Sequence, residues 1–279
     1  MIANLTAEAI PPRIWRGPED VPPSMRASVV TVGVFDGMHR GHARLVDTAV
    51  RHARERGLPA VLITFDPHPA QVLGLPKDTS RLSSLTHRAE LARQRGIDAV
   101  YVLSFTSERA RQSSEDFVDD VLVGTLHAKA VVVGANFTFG HRGTGTVRTL
   151  HDLGQRGGFT THAVPLLADL GAATSSTRVR RCLRNGDDGG AAVALGRPHR
   201  IEGRLVPLEM YDGAFIPVPD SALPAPGRYT AQVVGGGCVE LTVTVDGSML
   251  VQSPLVAGPA TIELDGKDYR VGSTRTFIF

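Results

Sequence analysis

Ser28-Val29-Val30-Thr31-Val32-Gly33-Val34-Phe35-Asp36-Gly37-Met38-His39-Arg40-Gly41-His42 is the stretch on which the fold turns. Its first seven residues, Ser28–Val34, are mostly apolar and β-branched at alternate and intervening positions alike, the pattern of a strand buried on both faces. A turn rich in glycine follows. From His42 to Arg56, residues Leu45, Val46, Ala49, Val50 and Ala53 then recur on one face of a helix that Gly57 stops. Strand, glycine turn and helix form the repeating unit of an open parallel sheet with helices on both faces. Ligands of such sheets bind beyond the carboxyl ends of the strands.

The same unit recurs outward from this stretch. Ala60–Phe65, Asp98–Phe105 and Ala128–Val133 read as further buried strands. Ser113 to Leu126 reads as a helix, opening on a capping-box spacing of Ser113 and Asp116 and turning Phe117, Val118, Val121 and Leu122 inward. After Gly196-Arg197-Pro198 the period changes. Arg200–Val206, Ala214–Val218, Arg228–Val234, Cys238–Val245 and Ala260–Leu264 are short alternating strands punctuated by Gly, Pro and Asp-Gly, as in a small antiparallel barrel or sandwich. The expectation is an α/β, Rossmann-like domain over residues 1–190 followed by a small antiparallel β-barrel domain over 191–279.

Composition agrees with two modest globular domains. The 279 residues are 42% hydrophobic, with 30 basic and 28 acidic groups and a formal net charge of +2. Only Lys77, Lys129 and Lys267 are lysines against 27 arginines, and guanidinium is the group suited to forked phosphate contacts. Residues 1–197 carry +5 and residues 198–279 carry −3, too small a bias to mark a nucleic-acid surface. The sequence lacks a run of eighteen apolar residues and a basic leader ahead of an apolar stretch. Cys182 and Cys238 lack the spacing of a zinc site or disulfide framework. A soluble cytoplasmic protein, with no membrane and no nucleic-acid partner, is expected.

Four clusters carry chemistry. In Gly33 to His42, glycines allow close backbone approach and the helix N-terminus offers free N–H groups to phosphate. His39 and His42, three apart, can both donate to one phosphate, adding positive charge if protonated. Two exposed histidines beside an ordinary turn are the plain alternative. A zinc site is another, although no third ligand is specified nearby. Thr174-Ser175-Ser176-Thr177-Arg178-Val179-Arg180 begins a short helix through about Leu183, with N-cap hydroxyls and two arginines; alone it reads equally as a capped helix with a solvated basic face. Gly134-Ala135-Asn136-Phe137-Thr138-Phe139-Gly140-His141-Arg142 follows the fourth strand, where Asn136 suits a turn and the phenylalanines suit a core. Thr64-Phe65-Asp66-Pro67-His68-Pro69 follows the second, as a pocket wall or a stiff surface turn.

Taken in chain order and together with Leu195-Gly196-Arg197-Pro198, these runs resemble the bacterial FAD synthetase family over about residues 13–204. The resemblance implies an FMN adenylyltransferase domain of the HxGH nucleotidyltransferase superfamily, using ATP and Mg²⁺ to convert FMN to FAD and pyrophosphate. It implies catalytic roles for His39, His42, Asn136 and Arg178. Gly33, Phe35, Asp36, Gly37, Gly41, Ser175, Ser176, Thr177 and Arg180 would bind ATP and its phosphates, with Asp36 fixing the loop as an alternative role. Phe65, His68, Pro69 and Asn136 would border the flavin. No protein metal ligand is implied.

The second half departs from the family's bifunctional members, which continue into a riboflavin kinase barrel with a Gly-Asp-Lys-Arg-Gly-Arg stretch and a Gly-Phe-Pro-Thr-Ala-Asn stretch. Gly203-Arg204-Leu205-Val206 begins as expected, but Pro207 to Val218 contains no Lys, Arg, Ser, Thr or Asn. Pro226-Gly227-Arg228-Tyr229 resembles the next kinase strand, and the chain reaches Phe279 without the usual C-terminal helical region. The expectation is a monofunctional adenylyltransferase. Two alternatives stay open: transfer of AMP or CMP to a flavin analogue or another phosphate acceptor, and a non-catalytic flavin-nucleotide-binding protein.

Overall fold

The computed structural model describes residues 13–169, 172–208, 211–252 and 257–267. Met1 to Pro12, the Glu209–Met210 pair of the divergent stretch and the chain end at Phe279 lie outside the described residues. Contacts group the chain into two compact units, Met1–Lys77 with Leu85–Leu166 and Asp78–Ser84 with Leu167–Phe279.

The first unit is a six-stranded parallel sheet. Its strands are β1 (Arg13–Trp15), β2 (Ser28–Val32), β3 (Ala60–Asp66), β4 (Ala99–Ser104), β5 (Ala128–Gly134) and β8 (Thr160–Val164), with β6 (Thr138–Phe139) and β7 (Gly145–Thr146) forming a separate small hairpin. Spatial order is β1-β4-β3-β2-β5-β8. The chain therefore winds one way from β2 through β3 to β4, then restarts at β5 on the other side of β2. Alternate strand residues feed two cores. Val30, Val32, Val61, Ile63, Val131 and Val133 pack on one face with Phe117, Val118, Leu122, Leu150 and Leu153; Val29, Leu62, Val100, Ala130 and Val132 pack on the other with Val46, Ala49, Ala53, Ala89 and Ala92. Each fully buried Val, Leu or Ile contributes about 1.5–3 kcal/mol, which is why strands buried on both faces carry no polar alternation.

Four main helices supply those covers. On one face lie α1 (Arg40–Arg56), capped by Gly57, and α3 (Leu85–Gln94); the four-residue α2 (Pro69–Val72) follows β3. On the other lie α5 (Val147–Gly157) and the predicted Ser113–Leu126 helix. The latter's capping box forms between Ser113 and Asp116, but only Ser114–Phe117 (α4) is α-helical. Val118–Thr125 widens into a π-helix. A Cβ at Gly124 would stand 2.9 Å from the Asp119 carbonyl oxygen, so the bare glycine admits the wide turn, and Thr125 Oγ1 donates to the Asp120 carbonyl across it (2.8 Å).

The second unit is a closed antiparallel barrel. Its strands are β11 (Arg200–Leu208), β12 (Tyr211–Pro217), β13 (Gly227–Val233), β14 (Cys238–Val243), β15 (Met249–Gln252) and β16 (Gly258–Lys267), in the order β11-β12-β15-β14-β13-β16. The short pair β9 (Ala168–Asp169) and β10 (Ala172–Ala173) precedes it, as do α6 (Ser176–Arg184) and α7 (Asp188–Leu195). The division at Leu166 differs from the expected boundary near residue 190. Physically, Val179, Cys182, Leu183, Ala191, Ala194 and Leu195 of α6 and α7 join Leu205, Phe215, Tyr229, Leu241, Met249 and Ile262 in one apolar cluster.

Candidate active site

The crevice of an open parallel sheet opens where the winding direction changes, here between β2 and β5, with β3 on the other side of β2. The loops leaving these three adjacent strands carry the three predicted clusters of the first unit.

Gly33 closes β2 with its N–H donating to the Ile63 carbonyl (3.2 Å). Phe35 then folds inward, fully buried, and its ring meets His42 edge-on at 5.1 Å. Asp36–Met38 makes a tight turn in which Gly37 takes φ 73°, a left-handed conformation that glycine adopts without strain. His39 is the N-cap of α1; its Nδ1 accepts from the His42 backbone N–H (3.2 Å). That bond places the proton of a neutral His39 on Nε2, and the two imidazoles stack at 3.6 Å with 19° between planes. Gly41 lies in the first turn of α1 between them.

His42 is electrostatically crowded. Its Nδ1 is buried with no hydrogen-bond partner among the described residues, and desolvation, the neighbouring His39 and the Arg88 guanidinium hold its pKa well below the ordinary 6.5. The resting imidazole is therefore neutral near pH 7, a donor of a hydrogen bond rather than of positive charge.

Asp36 is buried, and the structure gives it a partner within the fold: Arg88 Nη2, 3.5 Å from Asp36 Oδ1. Arg88 also donates from Nη1 to Thr64 Oγ1 (2.7 Å), and Thr64 donates to the Val34 carbonyl (2.8 Å). Sequence reasoning missed Arg88. Its signal was a charged residue in the i+3 place of the apolar Leu85, Ala89, Ala92 stripe of α3.

On the neighbouring strand ends, Asn136 is exposed in the tight turn after β5, where Phe137 N–H returns to the Gly134 carbonyl (2.9 Å). Phe139 is buried against Phe117 and Phe137, so both phenylalanines belong to the core side of that loop. After β3, Phe65 meets Phe105 edge-on at 5.8 Å. His68 caps α2, its Nδ1 accepting from the Ala70 N–H (3.0 Å), with Pro69 at the first helical position. Phe105 also lines a cavity of about 310 Å³ with Val72, Leu73, Ala110, Arg111 and Arg142. Of these cavity residues only Arg142 lies in a cluster that the sequence reading had quoted as chemical; the others come from separate segments.

The Thr174–Arg180 cluster is carried by the second unit. Ser175 is the N-cap of α6, its Oγ accepting from the Arg178 N–H (3.2 Å). Ser176 and Arg178 are half-buried and Thr177 is exposed. Arg180, expected at phosphate, is 2% exposed and donates from Nε to the Ser80 carbonyl (2.6 Å). It thus supports the segment Asp78–Ser84 from beneath α6, and Arg184 beside it pairs with Asp78.

A family model for FAD synthetase matches residues 21–178. Among curated relatives, the bifunctional riboflavin kinase/FMN adenylyltransferase of Bacillus subtilis is 36% identical over 64% of this chain and 56% of its own length. The Escherichia coli protein of the same name is 31% identical over 75% of this chain and 69% of its own length, and that of Pseudomonas fluorescens 35% over 70% and 62%. The chain thus spans little more than half the length of the Bacillus relative. A solved structure of a macrolide-efflux protein from Streptococcus pneumoniae shares the fold, with a TM-score of 0.82 at 22% identity over 96% of this chain and 94% of that one. The chain belongs to the FAD synthetase family.

Proposed function

We propose that the protein is an FMN adenylyltransferase, transferring AMP from ATP to FMN to give FAD and pyrophosphate, and that it does so without riboflavin kinase activity. The observation that carries the reading is the stacked His39–His42 pair at the N-terminus of α1, set at the switch point of the parallel sheet. Helix N–H groups and imidazole donors converge there, as adenylyl transfer needs.

In this mechanism a phosphate oxygen of FMN attacks the α-phosphorus of ATP while the bond from that phosphorus to the bridging oxygen of pyrophosphate breaks. No protein nucleophile takes part. Catalysis comes from orientation and from donors aimed at the charge that builds on the phosphate oxygens. His39, with its proton on Nε2, and His42 supply those donors. Asn136 orients the acceptor phosphate from the β5 loop, and Ser176, Thr177 and Arg178 bind the departing phosphates. Phe65, His68 and Pro69 flank the isoalloxazine ring, and the apolar cavity beside Phe105, with its two arginines, suits a flat ring bearing a phosphate. Among the described residues no three His, Cys, Asp or Glu side chains are grouped to hold a metal ion. A magnesium ion arriving with ATP would be carried mainly by phosphate oxygens and water, and no step is routed through it.

Two features support the lack of a kinase. The Pro207–Val218 stretch offers none of the Lys, Arg, Thr or Asn side chains of the kinase's phosphate and magnesium motifs. Phe215, Tyr229, Leu241, Met249 and Val251 fill the barrel's interior. Purified chain with ATP and FMN should release pyrophosphate and form FAD, whereas ATP with riboflavin should give no FMN. FMN formed from riboflavin would overturn the second clause. Pyrophosphate released only with CTP or with a different phosphate acceptor would move the assignment to a related transfer.

A further inference from the structure

The histidine loop is under backbone strain. Phe35 and Met38 hold φ of 52° and 40°, conformations that cost on the order of 1–3 kcal/mol each and persist only where the surroundings over-determine them. Burial of both side chains supplies part of that constraint. A polar part comes from a different helix, 52 residues further along the chain. Arg88 reaches the loop at two points. One arm ends on Asp36, which begins the strained turn, and the other on Thr64, whose hydroxyl accepts from Arg88 and so directs its own proton to the Val34 carbonyl just ahead of Phe35.

We propose that Arg88 is a positioning residue: its forked guanidinium grips the strained loop on both sides and thereby sets where the His39–His42 pair stands against the reacting phosphates. The proposal rests on the adenylyl-transfer reading for its effect on rate. The planar fork matters, because Nη1 and Nη2 hold their donors on separate atoms in fixed directions, whereas an ammonium's three donors must fan out from one atom at the end of a flexible stem. Both ionic side chains are buried, at 9% and 4% exposure, so loss of the cation would take a charged partner from Asp36 inside the fold. The groups facing His42 are His39, stacked on it, Phe35 at its edge, and Arg88 with Asp36 paired behind it. The Arg88 charge also helps to keep His42 neutral.

The test compares Arg88→Met, Arg88→Lys and Thr64→Val in the full chain, by steady-state kinetics of FAD formation and by histidine-selective NMR titration of His42. Arg88→Met should lower kcat about 10- to 100-fold, the scale of a misplaced catalytic group, with KM for ATP little changed, and should raise the His42 midpoint toward 6.5. Arg88→Lys, which keeps the charge, should keep the low midpoint and recover part of kcat. A folded Arg88→Met protein with the wild-type kcat, or with an unmoved His42 midpoint, would overturn the proposal. Should Arg88→Met not fold, Thr64→Val decides: it keeps the charge and the volume, so a several-fold fall in kcat at an unchanged midpoint supports the clamp and a wild-type kcat overturns it. If the wild-type chain makes no FAD, the functional reading fails by itself, and the His42 titrations of the Arg88 variants still decide whether Arg88 acts on the histidine pair.

Discussion

His42 sits where three constraints meet: a stacked imidazole 3.6 Å away, a nearby guanidinium and a buried Nδ1. Desolvation, His39 and the Arg88 guanidinium all disfavour a cationic His42, so its imidazole rests as a neutral donor. His42→Ala should lower kcat of FAD formation by roughly 10² to 10³, about 2.7–4 kcal/mol, the loss expected for one donor to a developing oxyanion; an unchanged kcat would remove His42 from the chemistry. The same residue makes stability depend on pH. An unfolded His42 titrates near 6.5 and the folded one well below it, so between those values the unfolded chain binds more protons. Its contribution is present in full above pH 6.5 and is lost as pH falls through that window. The Tm of the ligand-free protein should therefore drop between pH 7.5 and 5.5, and His42→Ala should flatten the drop. His162, stacked on His52 at 4.0 Å and also shifted down by desolvation, pulls in the same direction. His162→Ala is thus the necessary comparison, and an unaltered slope in His42→Ala would show that the imidazole is not held neutral.

Single elements show how far the sequence can be read. The β2–loop–α1 unit was legible because a strand buried on both faces, a glycine turn and an apolar helix stripe are all local patterns. The capping box at Ser113 was legible for the same reason. The π-turn after it was not, since Phe117, Val118, Val121 and Leu122 face inward under either winding and only the contact of Gly124 with Asp119 separates them. Strand β8, Thr-Thr-His-Ala-Val, lies at the sheet edge and is half exposed, so it lacks the apolar run that marked its neighbours. Arg88 was hidden for a different reason. Its partners are set by the fold, and a buried arginine breaks the very periodicity that would announce its helix. The caps allow a controlled test. Ser175→Ala should cost about 1 kcal/mol of helix stability and loosen the turn that presents Ser176, Thr177 and Arg178, raising KM for ATP about fivefold, the factor equivalent to that energy. Ser113→Ala, removing a cap from α4, should cost a similar amount while leaving KM for ATP unchanged. Equal effects of the two on KM would mean that the α6 turn does not meet the nucleotide.

At the scale of the whole molecule, the question is why a barrel without kinase motifs persists. The second unit suggests a physical reason, because its apolar core is not the barrel's alone. Val179 and Leu183 of α6, Ala191 and Leu195 of α7, and Leu82 of the Asp78–Ser84 segment are buried in the same cluster as Phe215, Tyr229, Met249 and Ile262. Polar ties reinforce it: Arg180 to the Ser80 carbonyl, Arg184 to Asp78, Ser84 Oγ to Glu202, and Arg81 bridging Asp220 and Ala222. A nine-residue helix such as α6 is marginal by itself in water, so the barrel is the surface that lets its serine and arginine turn exist. On the proposed reading, in which the barrel carries no kinase chemistry, selection falls on its core rather than on its loops. Phe215→Ala, which opens the centre of that core, should destabilise the unit by about 3–5 kcal/mol. Elements sharing one core open together, so amide exchange should accelerate in Val179–Leu183 in step with β12 and β15. The histidine loop's amides, packed in a separate core of the first unit, should keep their protection. Faster exchange in the barrel with unchanged protection in α6 would show that the helix stands without it, and the barrel's retention would need another explanation.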